Sequence, residues 1–331
     1  MNKTRVYLFT GFLESGKSSF IQDTLLEQGF GEDEKTLIIA CEEGEVAFDI
    51  PALEKENASL KQKEDGHAEL QCHFCLKKYD FDREELTEEY LAELDRKHEP
   101  DRVVIEYNGM WDNTKFVDEI CIDQWQVVQI LTTISAETFD LYYNNMRGQF
   151  VYHVTGSDLV IVNRCDENTK KYPIRGSIKS LNPMCQIVYE NKNRQIEDLT
   201  VNDLPYNLND DYIEVNDMDY GIFCMHIMEN PQIYENKTIK IKGKVIGRDK
   251  LIENGFVLGR QAMVCCSDDM QLLGLVCISK YAKDLIKDEW LVVDGTISLE
   301  YDESIQSNIP ILHVDHLEGA KPLENEYVTF D

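Results

Sequence analysis

Long apolar runs are missing from this sequence. No stretch approaches the roughly 20 consecutive hydrophobic residues that a membrane-spanning helix needs, so no transmembrane segment is expected. Positive charge is scarce as well: 33 lysines and arginines stand against 62 aspartates and glutamates, for a formal net charge of −29. Such a chain repels nucleic acid and anionic membrane surfaces, so nucleic acid is not an expected partner, and any anionic ligand needs a local device to hold it. The opening stretch, Met1 to Phe12, lacks the apolar segment and small-residue cleavage site of a secretory signal, which points to a cytoplasmic location. In that compartment the 10 cysteines are core residues, metal ligands or nucleophiles rather than a disulfide framework.

What is present is a 331-residue chain, 43% hydrophobic and 10% aromatic, long enough for two domains with separate cores. The device for an anion comes first. Arg5 to Thr10 is a strand-type run, Gly11-Phe12-Leu13-Glu14-Ser15-Gly16-Lys17-Ser18 fits G-x-x-x-x-G-K-[ST], and Ser19 to Gln28 reads as a helix stopped at Gly29. The glycines let the backbone curl its N–H groups inward at phosphates, and the helix dipole adds positive potential. Gly11, Glu14, Ser15, Gly16, Lys17, Ser18 and Ser19 are therefore candidate nucleotide-binding residues. Lys17 is placed to reach the β and γ phosphates and Ser18 to ligate magnesium. A carboxylate at Glu14 is costly beside phosphates unless it points away, and a solvated position on the outer edge of the loop explains it as well as a functional one.

A second motif supports the first. The apolar strand Asp158 to Val162 ends in Asn163-Arg164-Cys165-Asp166, and an aspartate just past a strand end can accept both N1–H and the 2-amino group of guanine, which adenine cannot offer. Asn163, Arg164 and Asp166 are thus candidate base-binding residues, favouring GTP and GDP over ATP. Arg164 stands where many P-loop GTPases have lysine, and keeps a cation on a long apolar stem.

Between the two motifs, strand-like segments (Leu37 to Ala40, Ala68 to Cys72, Arg102 to Tyr107, Val127 to Thr132) alternate with helix-like ones (Glu84 to Lys97, Ala136 to Gly148). The fold class expected is α/β: a P-loop NTPase with a mostly parallel sheet and helices on both faces, its ligands beyond the carboxyl ends of the strands. The P-loop, Cys41 to Glu45, Glu106 to Gly109 and Asn163 to Asp166 all fall at such ends.

These residues resemble the CobW/HypB/UreG group of P-loop GTPases, the CobW-like metallochaperone branch most closely, over roughly residues 5 to 200. "GFLESGKSS" looks like that branch's P-loop. "CEEGEVAFD" (Cys41 to Asp49) is similar to its N-E-F-G-E-x-G-x-D segment. "EYNG" (Glu106 to Gly109) looks like its E-x-x-G motif, and "LNPMCQIVYE" (Leu181 to Glu190) the stretch closing its sheet. The resemblance implies slow, magnesium-dependent GTP hydrolysis, with Lys17, Glu42 and Glu106 as candidate catalytic groups and either acid orienting metal or water. It also implies zinc or a related transition metal as cargo, a metal-receiving client protein, and a second copy of the chain as a candidate partner.

The family carries C-x-C-C where this chain has Gln71-Cys72-His73-Phe74-Cys75. Cys72 and Cys75 match the outer cysteines and Phe74 replaces the middle one, so His73 is the candidate substitute ligand. Along an extended segment adjacent side chains point to opposite faces, so the three converge only if the backbone turns. Metal binding, structural thiols and a redox pair all remain open here.

After Glu190 the sequence turns Asn- and Asp-rich. The expected organisation is a GTPase domain over 1–195, a linker over 196–218 and a second domain over 219–331. In the last, five strand patterns with a short amphipathic helix at Lys280 to Asp288, between the third and fourth, follow the order of an OB-like β-barrel. This region, roughly Tyr220 to Val328, resembles the soluble C-terminal domain of a family of proposed permease subunits. That resemblance implies an alternative function, a GTP-dependent regulator or adaptor of a membrane permease that binds no metal. Cys265, Cys266 and Asp268 are candidate ligands for a soft or borderline metal, core packing and turn capping being the bland reading of the same residues.

Overall fold

The structure, a computed structural model, describes residues 3–26, 34–42, 48, 74–78, 86–249, 252–263, 270–303, 305–328 and 330. The chain divides into two units, Met1–Thr169 with Leu181–Asp198, and Lys170–Ser180 with Leu199–Asp331.

The first unit is a sheet of eight strands: β1 (Thr4–Thr10), β2 (Thr36–Ala40), β3 (Phe74–Lys78), β4 (Arg102–Glu106), β5 (Trp125–Ser135), β6 (Leu159–Cys165), β7 (Gln186–Asn191) and β8 (Ile196–Glu197). Their order is β3-β2-β4-β1-β5-β6-β7-β8. All neighbours pair in parallel except β8, which returns antiparallel to β7. Successive side chains on β1 and β4 serve opposite faces, as a strand period of two requires. Val6, Leu8, Val103 and Ile105 pack with Leu91 and Leu94 of α2 (Glu88–His98) on one face. Phe9 and Val104 pack with Ile21 and Leu25 of α1 (Lys17–Leu26) on the other. The sequence sets the ends of α2: Thr87 caps it by accepting from Tyr90 N–H, glutamates 88 and 89 occupy its first turn, and Arg96, Lys97 and His98 its last. The helix expected over 136–148 is instead broken at Met146 into α3 (Phe139–Asn145), preceded by a 3₁₀ turn, and α4 (Arg147–Thr155).

In the second unit, α5 (Lys171–Leu181, through Ser180), α6 (Tyr220–Glu229) and strands β9 (Tyr212–Glu214), β10 (Thr238–Arg248), β11 (Gly255–Met263), β12 (Met270–Ile278), β13 (Trp290–Asp302) and β14 (Ser307–Gly319) surround one core. The pairings β10–β11, β11–β12, β12–β14, β14–β13 and β13–β10 close a five-stranded barrel, with β12–β14 parallel and the rest antiparallel. Burial alternates along β10 and β13, as an inside-outside strand demands. Two features differ from the sequence reading. Residues 280–288 form turns, not a helix: Ala282 N–H bonds Ser279 O, Asp284 N–H bonds Tyr281 O, and Ser279 Oγ accepts from Tyr281 N–H, so i→i+3 turns and a side-chain acceptor take up the donors that a helix would use. The stretch read as linker supplies β9, which pairs in parallel with β10, and buries Leu204, Leu208, Ile213 and Val215 in the barrel-side core. Among the described residues no helix is long and apolar enough to cross a membrane.

Candidate functional site: a phosphate loop facing a base cleft

The carboxyl ends of β1, β2, β4, β5 and β6 lie along one edge of the parallel sheet, which brings the loop after β1 together with Glu42, Glu106, Ser135 and Asn163. The loop needs its first glycine. Gly11 has φ of +130° and a Cβ there would stand 2.3 Å from Thr133 O, so no other residue fits without moving β5. Ser15 Oγ and Thr133 Oγ1, 2.7 Å apart, tie the loop to the same strand. Glu14 is exposed with φ of +60°, and its carbonyl is used by the base side of the site.

Lys17 is only 3% exposed, and its ammonium donates to Gly11 O at 2.8 Å and Phe12 O at 2.9 Å. It also pairs with Glu42 Oε2 at 2.6 Å. Ser18 Oγ donates to Glu106 Oε1 at 2.6 Å. Glu106 is buried, and that burial, with Glu42 adding to it, pushes its carboxyl upward against the opposing Ser18 hydrogen bond and Lys17 charge. Two hard oxygen donors side by side, one an under-compensated buried carboxylate, suit a small divalent cation such as magnesium. Burial also raises the Cys41 thiol far above its ordinary range, with Glu106 and Glu42 contributing, so Cys41 is an inert thiol and not a nucleophile.

The other side of the site, with the candidate base-binding residues, is built from β6, α1 and the loop after β7. Asn163 Nδ2 donates to Ser15 O at 2.7 Å, and Arg164 Nη1 donates to Glu14 O at 2.8 Å from a left-handed backbone with φ of +56°. Both residues thus grip the phosphate loop from about 150 positions away. Asn163 Oδ1 and, beside it in register on β5, Ser135 Oγ are buried without a partner, a donor-acceptor set open to a ligand. A cleft next to them is lined by Gly16, Ser19 and Phe20 of the loop and α1, by Asn163 and Arg164, and by Asn191, Lys192 and Arg194. Asp166 is exposed. Asn168 N–H and Lys192 hold its carboxyl below the usual range, with Lys192 Nζ 3.2 Å from Oδ2 and 3.0 Å from Glu137.

Three participants had no motif to reveal them. Thr133 and Lys192 act through strand neighbours that only the sheet order defines. His153, on α4, is 1% exposed; its Nε2 lies 3.0 Å from Gly109 O and its Nδ1 2.6 Å from Thr10 Oγ1. A carbonyl can only accept, so Nε2 carries the proton and Nδ1 accepts from Thr10. The imidazole therefore joins the start of the phosphate loop to the glycine of Glu106-Tyr107-Asn108-Gly109. Burial, aided by the Lys17 charge and opposed by Gly109 O, lowers its pKa from 6.5 to about 4.

Two outcomes follow for His153. Leucine there strands two buried partners and is expected to cost about 2–4 kcal/mol by thermal or urea unfolding, whereas glutamine, with a donor and an acceptor, should cost about 1 kcal/mol or less. The folded pKa lies below the unfolded one, so its contribution is complete above pH 6.5 and is lost as pH falls toward about 4, amounting to about 3 kcal/mol. His153→Gln should flatten the fall in melting temperature across that window; an unchanged profile would remove His153 as its source.

The proposed metal ligands are placed differently. Cys72, His73, Cys265, Cys266 and Asp268 lie outside the described residues, and Cys75 is described only as backbone on β3, opposite Leu37 of β2. Among the described residues no group of three or more His, Cys, Asp or Glu side chains is arranged to hold a metal ion.

Comparison with known proteins matches the nucleotide-binding domain of the CobW/HypB/UreG group to residues 5–189 and the DUF1980 C-terminal domain to residues 190–329. The UPF0703 protein YcgQ of Bacillus subtilis (strain 168) is 23% identical over 116 residues, 35% of this chain and 41% of YcgQ, so the match spans less than half of that relative. Among solved structures, HypB from Archaeoglobus fulgidus is 15% identical with a TM-score of 0.37, covering 57% of this chain and 82% of its own. Zn(II)-bound YjiA GTPase from E. coli is 17% identical with a TM-score of 0.39, covering 98% and 92%.

Proposed function

Because the chain belongs to the CobW/HypB/UreG nucleotide-binding family, we propose that it binds GTP with magnesium, hydrolyses it slowly to GDP and phosphate, and couples nucleotide state to the handling of a zinc-like metal. The observation that supports the guanine reading best is the double tether from Asn163 to Ser15 O and from Arg164 to Glu14 O. It ties the segment bearing Asp166 to the candidate phosphate loop, which supports a single nucleotide reaching both Asp166 and Lys17.

In this reading, loop N–H groups and the N-terminus of α1 cradle the phosphates. Lys17 neutralises charge developing on the transferred phosphoryl oxygens, which in phosphoryl transfer is most of the catalytic task. Ser18 and Glu106 would hold magnesium, which when bound would supply Lewis-acid neutralisation of the phosphate oxygens. His153, through Gly109 O and Thr10, keeps the E-x-x-G turn seated on the loop. Asp166 accepts from the guanine edge, and Asn168 N–H and Lys192 orient its carboxylate.

Metal as cargo rests on Cys72, His73 and Cys75 in the sequence. The second reading, a GTP-dependent adaptor of a permease acting through the barrel, rests on the resemblance of roughly Tyr220 to Val328 to the soluble domain of proposed permease subunits; the DUF1980 match covers the same region and names no activity. Anaerobic titration of the full chain with zinc and cobalt, with and without GTP, separates them. Stoichiometric binding tighter than about 1 μM, lost in Cys72→Ser/Cys75→Ser, is expected for metal handling; no binding in either nucleotide state leaves the adaptor reading.

A further inference from the structure

We propose that Glu42 is a specificity-determining residue for phosphate number: its carboxylate stands in the terminal-phosphate position of the loop, so the site favours nucleoside diphosphates over triphosphates until Glu42 is displaced. This rests on the nucleotide-binding reading of the same site.

The donors make the case. A lysine ammonium has three hydrogens. Lys17 gives two of them to loop carbonyls, Gly11 O and Phe12 O, and points the third at Glu42 Oε2, 2.6 Å away. The other Glu42 oxygen accepts from Gly109 N–H at 3.3 Å. One carboxylate therefore spans the loop lysine and a backbone amide of the turn that follows the magnesium-side acid. These are an ammonium and an N–H on two different segments, brought to a single anion with two oxygens.

In P-loop enzymes the loop lysine serves the β and γ phosphates. A diphosphate brings only its β group to Lys17, where it competes with the neutral loop carbonyls Gly11 O and Phe12 O, and it ends short of the terminal position, so Glu42 can stay in place. A triphosphate brings its last group to Lys17 and into the Glu42 carboxylate, and two anions cannot share one ammonium at van der Waals distance without a large repulsion. The side chains of Lys17 and Glu42 are 3% and 10% exposed, so the pair is desolvated and its attraction is little screened. Glu106 lies close enough that Glu42 raises its pKa, so the same corner already carries two carboxylates before a third anion arrives.

The alternative is an ion pair that merely neutralises Lys17 and yields to any nucleotide. The two differ in what a neutral side chain does. Glu42→Gln keeps size and one acceptor and removes the charge, so it relieves the repulsion felt by a terminal phosphate and leaves a diphosphate nearly unaffected.

The test is equilibrium binding of GDP and of the non-hydrolysable analogue GMPPNP, with magnesium, to the full chain and to Glu42→Gln and Glu42→Ala, with thermal melts confirming that each folds. The expected result is a gain of about 10-fold or more in GMPPNP affinity in both variants, with GDP changed by less than about 3-fold. Equal changes for the two nucleotides, or weaker GMPPNP binding, overturns the proposal. If the wild-type chain binds no guanine nucleotide, the guanine reading fails by itself, and the same comparison with ADP and AMPPNP decides the Glu42 proposal, which depends on phosphate number and not on the base.

Discussion

Replacing Lys17 with alanine is expected to weaken GTP binding by at least about 100-fold, since two charge-assisted hydrogen bonds of about 1.5–3 kcal/mol each would be lost at a buried site. The cations lining the neighbouring cleft are engaged elsewhere, Arg164 with Glu14 O, Lys192 with Asp166 and Glu137, and Arg194 with Asp23. The same substitution leaves the Glu42 carboxylate, 10% exposed, without its cation. Breaking one side of such a pair costs about 3–5 kcal/mol, so the single variant should also melt several degrees lower. The double variant Lys17→Ala/Glu42→Gln removes both charges and should regain most of that stability while its GTP affinity stays well below that of the unsubstituted chain. Fluorescence titration with a labelled GTP, beside thermal melts, reads both effects. Retained affinity in the single variant would mean that the phosphates lie elsewhere.

The second large effect is expected at Asp166. Its carboxylate is the group offered to N1–H and the 2-amino group of guanine, and its exposure means that substitution leaves the core alone. Asp166→Ala should therefore reduce the preference for GTP over ATP by about 100-fold or more, the equivalent of two charge-assisted hydrogen bonds, with ATP affinity little changed. Asp166→Asn exchanges one acceptor for a donor and should turn the preference toward xanthosine triphosphate, which carries an acceptor carbonyl where guanosine has its amino group. Competition of the three triphosphates against labelled GDP measures this directly. A GTP preference that survives both variants would detach Asp166 from base recognition.

How much of this was legible in the sequence follows from where each interaction is encoded. The Gly11 to Ser18 and Asn163 to Asp166 motifs are each contiguous in sequence, so the family and the fold class could be read from them directly. The alternation of strands and helices gave a parallel sheet, and the five strand patterns after Thr238 gave a closed barrel. Interactions between distant segments were hidden. The Lys17–Glu42 pair joins α1 to the end of β2, and the His153 bridge joins α4 to two strand ends. No local pattern records either. Lys280 to Asp288 misled because an amphipathic spacing does not register Ser279 and short-range turns competing for the same N–H groups. Residues 196–218 misled in the opposite direction: their Asn and Asp content reads as linker, yet Leu204, Leu208, Ile213 and Val215 are spaced to enter a core.

The most direct measurement is calorimetric titration of the full chain with GTP and, separately, ATP in the presence of magnesium. A site assembled from Gly11 to Ser18 and Asn163 to Asp166 predicts one GTP bound per chain, with ATP weaker by about 100-fold or more. ATP binding as tightly as GTP, or no heat from either nucleotide, would contradict it.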